Sequence, residues 1–219
     1  MTYRHGFLDG SPSTLETGKV LCIGKNYRAK LDEPVHISED YPVVFMKPPC
    51  ALVPLEEPVR VPGYSPCYYE VELAVLVGSE LYHASRERVR KGIAGYAIAL
   101  DLTLKELLDQ LKRAGRPWEL AKSFDRSCPI SPFVDTGRIK DPDDTTIRLA
   151  INDEIRQEAS TKLMMRTTLD LISLISAYIT LLPGDVVLTG TPEGAGMLPS
   201  KATLFLELDD KYRFRTSVV

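Results

Sequence analysis

The sequence lacks the features that mark several common functional classes. Its cysteines form no C-x-x-C pair and its three histidines are far apart, so neither a zinc site nor a metal held by several imidazoles is expected. No apolar run approaches the roughly 20 residues that a membrane-spanning helix needs. There is no block of basic residues, and the net charge of −3 argues against nucleic acid as a partner. Any metal in this protein would therefore be held mainly by carboxylates.

The composition is that of an ordinary globular protein. The chain has 219 residues, of which 44% are hydrophobic and 26% are charged, and it contains no repeat or linker-like segment. We therefore expect a single domain over residues 1–219. The first residues show no charged-then-apolar signal pattern, which predicts a cytoplasmic protein. In that compartment we expect free thiols at Cys22, Cys50, Cys67 and Cys128.

Short alternating or β-branched runs, bounded by turn residues, predict a chain dominated by strands. Helices are expected at 85–91, 103–114 and 167–180. The segments 152–154 and 209–210 have the composition of hairpin turns. Many strands, few helices and no regular βα alternation favour an α+β fold built around packed sheets. The predicted strands are 19–24, 43–46, 69–78, 93–100, 147–151, 186–189, 203–208 and 212–218.

Two glutamates stand at the start of a predicted strand that runs into the protein interior. Side chains alternate between the faces of a strand, so Glu70 and Glu72 share one face with Ala74 and Leu76. Two neighbouring carboxylates near a core repel each other and lose hydration. Either this pair is solvated at an exposed strand end, or a cation lies between the two side chains.

Three further features suit such a cation site. Asp101 ends an apolar run, where it is either a metal ligand or the cap of the following helix. Lys122 either faces these carboxylates or forms a surface ion pair. The segment 188–194 offers backbone N–H groups and the Thr191 hydroxyl in one turn, which suits an oxyanion but is also a common turn composition. Three carboxylates without histidine or thiolate would suit Mg²⁺, Mn²⁺ or Ca²⁺.

Several short segments carry a family resemblance through their order and spacing. They are CIGKNY (22–27), FMKP (45–48), YEVELA (69–74), GYA (95–97), DLT (101–103), PW (117–118), AKSFD (121–125), SCP (127–129) and PGDVVLTGTP (183–192). Together they resemble the fumarylacetoacetate hydrolase family, in its small single-domain branch of acylpyruvases and oxaloacetate decarboxylases or tautomerases. The resemblance runs from about residue 18 to the end of the chain.

This resemblance implies a single catalytic domain with an α+β fold, a mixed β-sandwich roll with few short helices. It also implies a homodimer and one divalent ion, Mg²⁺ or Mn²⁺. The implied metal ligands are Glu70, Glu72 and Asp101, with Lys122 as a catalytic residue. The implied substrate contacts are Lys25, Lys47, Gly190 and Thr191. Residues 26–40 are expected to form a mobile lid that orders over bound ligand.

The lid departs from the family pattern at the residue that should activate water. Hydrolytic members carry a histidine and a glutamate, and here Glu33 matches the glutamate while Lys30 occupies the histidine position. Both are candidate catalytic residues, but a lysine is protonated at neutral pH unless desolvation lowers its pKa strongly. His36 lies off the expected spacing, so it either substitutes or is an ordinary loop residue. Lys105 and Leu108 replace an arginine and a glutamine that the family often carries.

These features predict a metal-dependent enzyme acting on small 2-oxo or 2,4-dioxo acids. The neighbouring carboxylate and keto oxygens of such acids chelate a cation, and the cation stabilises the enolate form. Lys122 would add positive charge or move a proton, and Thr191 would hold the substrate carboxylate. Hydrolysis of the C–C bond of an acylpyruvate-like substrate is the main expectation. The alternatives are an oxaloacetate tautomerase or decarboxylase, and a catalytically silent protein that binds metal and metabolite.

Overall fold

Strands dominate the described part of the chain, which is residues 3–31, 42–63 and 65–219 of a computed structural model. The strands are β1 (Val20–Gly24), β2 (Val43–Lys47), β3 (Leu52–Pro54), β4 (Cys67–Tyr69), β5 (Val71–Val77), β6 (Ile93–Leu100), β7 (Thr103–Leu104), β8 (Cys128–Ile130), β9 (Val134–Asp135), β10 (Thr146–Ile151), β11 (Glu154–Ser160), β12 (Val186–Leu188), β13 (Gly196–Met197), β14 (Thr203–Leu208) and β15 (Tyr212–Ser217). The α-helices are α1 (Arg86–Gly92), α2 (Lys105–Arg113), α3 (Glu119–Lys122) and α4 (Thr168–Ser176).

The largest sheet of the described residues is mixed and has the order β2-β1-β12-β5-β6-β8-β3, with β9 also paired to β6. Its central strand β5 is buried along its whole length. Val71 and Leu73 pack in one hydrophobic cluster, whereas Ala74 and Leu76 pack in another on the opposite face. Both faces of β5 are therefore covered, which explains why its sequence is nearly continuous in apolar residues.

A second sheet, β11-β10-β14-β15, covers one face of the first. Ile147 and Leu149 of β10 and Leu204 and Leu206 of β14 are buried in the same cluster as Val71. A small third sheet has the order β13-β4-β7. This arrangement of curled, packed sheets with few short helices confirms the predicted α+β roll.

The hairpin turns form where the sequence predicted them. Asn152 and Asp153 have φ values of 51° and 67°, and Asp209 and Asp210 have φ values of 59° and 51°. Two successive left-handed residues match the right-handed twist of the flanking strands, and after glycine the short polar Asn and Asp tolerate this conformation best. Helix α4 begins after Thr167, whose side chain accepts a hydrogen bond from the Asp170 backbone N–H at 3.3 Å.

One difference from the prediction matters for the site. The strand expected at 69–78 is divided at Glu70 into β4 and β5. Strand β4 pairs with β7 and β13 in the small sheet, whereas β5 pairs with β6 and β12 in the large sheet. The chain passes from one sheet to the other at Glu70, and this residue therefore lies at a junction between the two.

The four cysteines are unpaired, and Cys50 is exposed while the other three are buried. Among the described residues, no helix has both the length and the apolar character needed to cross a membrane.

Candidate metal centre and active site

Three carboxylates meet at the junction of the two sheets. Strands β5 and β6 are antiparallel, with Glu72 opposite Ala99 and Val71 opposite Leu100. The ladder continues one step further, since the Asp101 backbone N–H donates to the Glu70 carbonyl at 2.8 Å. This register brings Glu70, Glu72 and Asp101 together, and each offers an oxygen within 4.8 Å of the others. Asp101 therefore belongs to the cluster.

Two lysines neutralise part of this charge. The Lys122 Nζ lies 2.7 Å from Asp101 Oδ2 and 2.8 Å from Glu70 Oε2, at the end of helix α3. The Lys47 Nζ lies 2.8 Å from Asp101 Oδ1, at the end of strand β2. The three carboxylates and two ammonium groups leave one excess negative charge when all are ionised.

Burial makes this charge costly. It raises the pKa of Glu72 well above its ordinary value, and the neighbouring carboxylates of Asp101 and Glu70 raise the pKa further. The pKa of Glu70 is also raised, by burial first and by Asp101 second. Burial acts against ionisation of Asp101 as well, but Lys122 and Lys47 outweigh it and lower the pKa of that carboxyl. The carboxylates of Asp101 and Glu70 raise the pKa of Lys122 despite its burial, so it is protonated in this arrangement.

The loop that follows β12 also forms part of the site. Strand β12 runs antiparallel to β5, so the loop continues alongside the glutamates. The Gly190 backbone N–H donates to Glu72 Oε2 at 2.7 Å, and the Thr191 hydroxyl donates to the Val71 carbonyl at 2.8 Å. Gly190 has a φ of 103°, and a Cβ there would lie 3.0 Å from the Asn26 Cβ. Glycine is therefore the residue that fits this close approach.

The donor set fits a hard divalent cation. Its oxygens come from Glu70, Glu72 and Asp101, without histidine or thiolate. Mg²⁺ and Mn²⁺ favour such ligands, and a dication would offset the excess negative charge of the cluster. Because Lys122 binds two of the same carboxylates, it would compete with the cation for them.

The other predicted site residues lie in different surroundings. Lys47 has no exposed surface and lies behind Asp101, where its ammonium also donates to the Leu102 carbonyl at 3.3 Å and to Ser127 Oγ at 3.0 Å. Lys25 is exposed and has a left-handed φ of 57° at the end of β1. Lys30 is also exposed. The rest of the expected lid, including Glu33 and His36, lies outside the described residues.

The residues that replace the family's arginine and glutamine both lie on helix α2. Leu108 is buried in the larger hydrophobic cluster. The Lys105 Nζ lies 2.5 Å from Asp109 Oδ2.

Sequence reasoning missed Gln157 and the structural role of Asn26. Gln157 lies on β11 at 1% exposure and contacts both β5 and the Thr191 loop. Asn26 is also buried, and its side chain donates to the Thr189 carbonyl at 3.0 Å and accepts from the Arg166 N–H at 3.0 Å. The sequence signal for Gln157 was a polar residue on the inward face of an alternating strand, the face that also carries Ala159 two residues later.

Comparison with known proteins identifies the family. The model of the fumarylacetoacetate (FAA) hydrolase C-terminal domain matches residues 19–216, which is most of the chain. The chain belongs to the fumarylacetoacetate hydrolase family. It is therefore an enzyme of this family, as the sequence resemblance implied.

Three related proteins are similar to this chain over most of their own length. The oxaloacetate tautomerase YcgM of Escherichia coli is 43% identical over 209 residues, which cover 94% of this chain and 95% of that protein. The mitochondrial oxaloacetate tautomerase FAHD1 of Bos taurus is 41% identical over 183 residues, 83% of each chain. The fumarylpyruvate hydrolase of Pseudomonas aeruginosa, solved with Mn²⁺ and pyruvate, is 30% identical with a TM-score of 0.89 and covers 100% of this chain and 96% of its own.

These relatives change the order of the functional expectations. Close family members are oxaloacetate tautomerases, whereas the fumarylpyruvate hydrolase is less similar in sequence. C–C bond hydrolysis was our main expectation, and the comparisons favour the alternative of oxaloacetate tautomerisation over it. The relative that binds Mn²⁺ also supports a divalent ion in this family.

Proposed function

We propose that this protein is a divalent-metal-dependent oxaloacetate keto–enol tautomerase. The observation that carries the proposal is the cluster of Glu70, Glu72 and Asp101 with Lys122 bound to it, in a chain 43% identical to an oxaloacetate tautomerase. Lys30 supports tautomerisation over hydrolysis, because a lysine occupies the position of the histidine with which hydrolytic members activate water.

The reaction moves one proton between the oxygen on C2 of oxaloacetate and its C3 carbon. A bound divalent ion, held by Glu70, Glu72 and Asp101, would supply Lewis-acid charge that favours the enolate form of the substrate. We assign Mg²⁺ as this ion, with Mn²⁺ as the alternative. The substrate atoms are otherwise unchanged, so tautomerisation needs no water as a reactant and no base to activate one.

The remaining roles belong to Lys122, to Thr191 with its loop, and to Lys47. Lys122 holds a proton at Nζ and places positive charge beside the carboxylates, where it stabilises the developing oxyanion. The Thr191 hydroxyl and the neighbouring loop N–H groups hold the substrate carboxylate in a fixed orientation. We assign Lys47 to hold Asp101 in place from behind.

The test compares three activities of one purified, Mg²⁺-loaded sample. Decay of enol-oxaloacetate is followed by its ultraviolet absorbance, CO₂ release is measured alongside, and acetylpyruvate cleavage is assayed separately. We expect enol decay faster than with Mg²⁺ alone, without matching CO₂ and without cleavage. Equal rates of enol decay and CO₂ release would show a decarboxylase, and acetylpyruvate cleavage would show a hydrolase.

A matched pair of lysine variants links the activity to this site. Lys122→Met should abolish the protein-dependent enol decay, whereas Lys91→Met should leave it unchanged, because the Lys91 side chain is 68% exposed and pairs with Glu87. Equal activity of both variants would contradict the assignment of Lys122.

The alternative of a catalytically silent protein rested on Lys30 and Leu108, which depart from the family pattern, and membership of this family of enzymes disfavours it. A silent protein would show a melting temperature raised by Mg²⁺ with oxalate, an enolate mimic, without turnover of any oxo acid. We also propose, from the family resemblance, a single catalytic domain in a cytoplasmic homodimer. Sedimentation tests the dimer.

A further inference from the structure

Gln157 is a buried polar residue that joins the outer sheet to the site. It lies on β11, which belongs to a different sheet from the metal-ligand strand β5. At 1% exposure its amide is shielded from water, so each of its hydrogen bonds is made to protein. Those partners are the Val71 N–H, the Thr191 hydroxyl and the Pro192 carbonyl, each at 2.9 Å.

These partners fix which way the amide points. The Val71 backbone N–H is only a donor, so the atom that faces it must be the acceptor Oε1. The Pro192 carbonyl is only an acceptor, so the atom that faces it must be the donor Nε2. Both ends give the same orientation. Nε2 therefore donates to Thr191 Oγ1 as well.

The fixed amide in turn fixes the polarity of Thr191. Since its oxygen accepts a hydrogen bond from Gln157, its single proton must be donated elsewhere. In this structure the Thr191 hydroxyl donates to the Val71 carbonyl at 2.8 Å. Thr191 is only half-buried, so a carboxylate in the site can compete for that proton. An anion accepts hydrogen bonds and cannot donate them, so it needs a hydroxyl in this polarity.

Gln157, Thr191 and Val71 form a closed ring of hydrogen bonds. This ring holds the backbone between two of the metal ligands. Val71 lies between Glu70 and Glu72, and its N–H binds Gln157 while its carbonyl binds Thr191. The ring therefore couples the loop that faces the substrate carboxylate to the strand that carries the cation ligands.

We propose that Gln157 is a positioning residue that holds the Thr191 hydroxyl as a hydrogen-bond donor to the substrate carboxylate. This inference rests on the proposed function, because it takes a carboxylate bound beside the metal as the ligand. Gln157 acts through Thr191 and touches no reacting atom.

Binding of oxalate to the Mg²⁺-loaded protein tests the proposal by calorimetry, without relying on turnover. Gln157→Met removes the amide and should raise the oxalate dissociation constant about tenfold, the effect of losing one well-aligned hydrogen bond to a charged group. Mg²⁺ affinity without oxalate should change less than about threefold. Ser176→Ala is the control, because it too removes a buried polar group, a hydroxyl with two hydrogen bonds, but at a position on helix α4. It should leave oxalate affinity unchanged.

A double-mutant cycle with Thr191→Val separates positioning from general destabilisation. If Gln157 acts through Thr191, Gln157→Met should weaken oxalate binding in the Thr191 background and have no further effect in the Thr191→Val background. Equal losses in both backgrounds would overturn the proposal, as would unchanged oxalate affinity in a folded Gln157→Met variant.

Gln157→Glu provides a second variant should the methionine variant fail to fold. It keeps the side-chain size and an acceptor for the Val71 N–H but loses the amide donor to Thr191, so it should weaken oxalate binding in the same direction. Oxalate affinity equal to that of the unmodified protein would refute the proposal. Tight oxalate binding without turnover of oxaloacetate would refute only the proposed function, whereas no binding of Mg²⁺ and oxalate would refute both.

Discussion

Replacing Lys47 by methionine tests the buried charge balance of the site. The Lys47 side chain has no exposed surface, and its ammonium lies 2.8 Å from Asp101 Oδ1. Methionine fills a similar volume but removes the charge and its hydrogen bonds to the Leu102 carbonyl and Ser127 Oγ. The Asp101 carboxylate then keeps only Lys122 as a cationic partner among the described residues. The buried Asp101 carboxylate is then balanced by one ammonium group instead of two, which should destabilise the fold.

The expected loss follows from buried ion pairs in other proteins. Breaking one by removing a single partner costs about 3–5 kcal/mol. For a chain of this size, 1 kcal/mol corresponds to a change of roughly 2–4 °C in melting temperature, so we expect a decrease of roughly 6–20 °C. The assay is thermal unfolding followed by circular dichroism in the presence of a chelator, which removes any stabilisation by bound metal.

The control is Lys91→Met, which breaks the exposed pair with Glu87 and should shift the melting temperature by less than about 2 °C. The double variant Asp101→Asn with Lys47→Met should lose less stability than the sum of the two single variants. Each single change removes one partner of the buried ion pair, whereas the double change removes both charges. A Lys47→Met melting temperature as close to wild type as that of Lys91→Met would refute the reasoning.

Three further perturbations address the metal, the pH dependence and the missing base. Glu72→Gln keeps an acceptor for the Gly190 N–H but removes a metal-binding charge, so calorimetry should show Mg²⁺ affinity reduced at least about tenfold; an unchanged affinity would contradict the ligand assignment. Burial lowers the pKa of His5 from its ordinary value and outweighs the opposite effect of the hydrogen bond that its Nε2 donates to the Gly184 carbonyl at 2.9 Å; its Nδ1 has no described acceptor for a second proton. The neutral ring therefore stabilises the fold fully above about pH 6.5 and loses that effect as the pH falls through the folded-state pKa of His5. The unfolding free energy of wild type relative to His5→Asn should therefore decrease below about pH 6.5. A difference that stays constant from pH 7.5 to 5 would count against this assignment. Lys30→His should raise acetylpyruvate cleavage by at least about tenfold, because general-base catalysis contributes roughly 10²–10⁴-fold, and an unchanged rate would show that the imidazole is not what limits hydrolysis.

Much of the fold was predictable because its signals are local. The limits of β6 and β14 match the predicted segments 93–100 and 203–208, where alternation or continuous apolar character is clear. The predicted helix at 167–180 extends only over Thr168–Ser176, because the residues beyond it turn toward the bridge between Leu81 and Leu181. The division of the predicted strand 69–78 at Glu70 was not predictable, since it depends on which sheet each half joins.

The metal cluster was partly visible in the sequence. Glu70 and Glu72 drew attention because alternation placed two carboxylates on a face that continues as buried Ala74 and Leu76. Asp101 had two interpretations, metal ligand or helix cap, until the antiparallel register placed its backbone opposite Glu70.

The sequence by itself determined the residue types that the chemistry needs: three carboxylates, two lysines and a glycine-threonine turn, carried on segments whose local patterns specify strands. Only the tertiary structure decided how these groups are divided between tasks. Lys122 bridges the Asp101 and Glu70 carboxylates, whereas Lys47 is fully buried and binds Asp101 through its other oxygen. Gln157, which no motif marks, joins Val71 to Thr191 across two sheets. Such contacts depend on strand register and sheet packing, which bring together residues far apart in the chain, and local sequence patterns do not encode them.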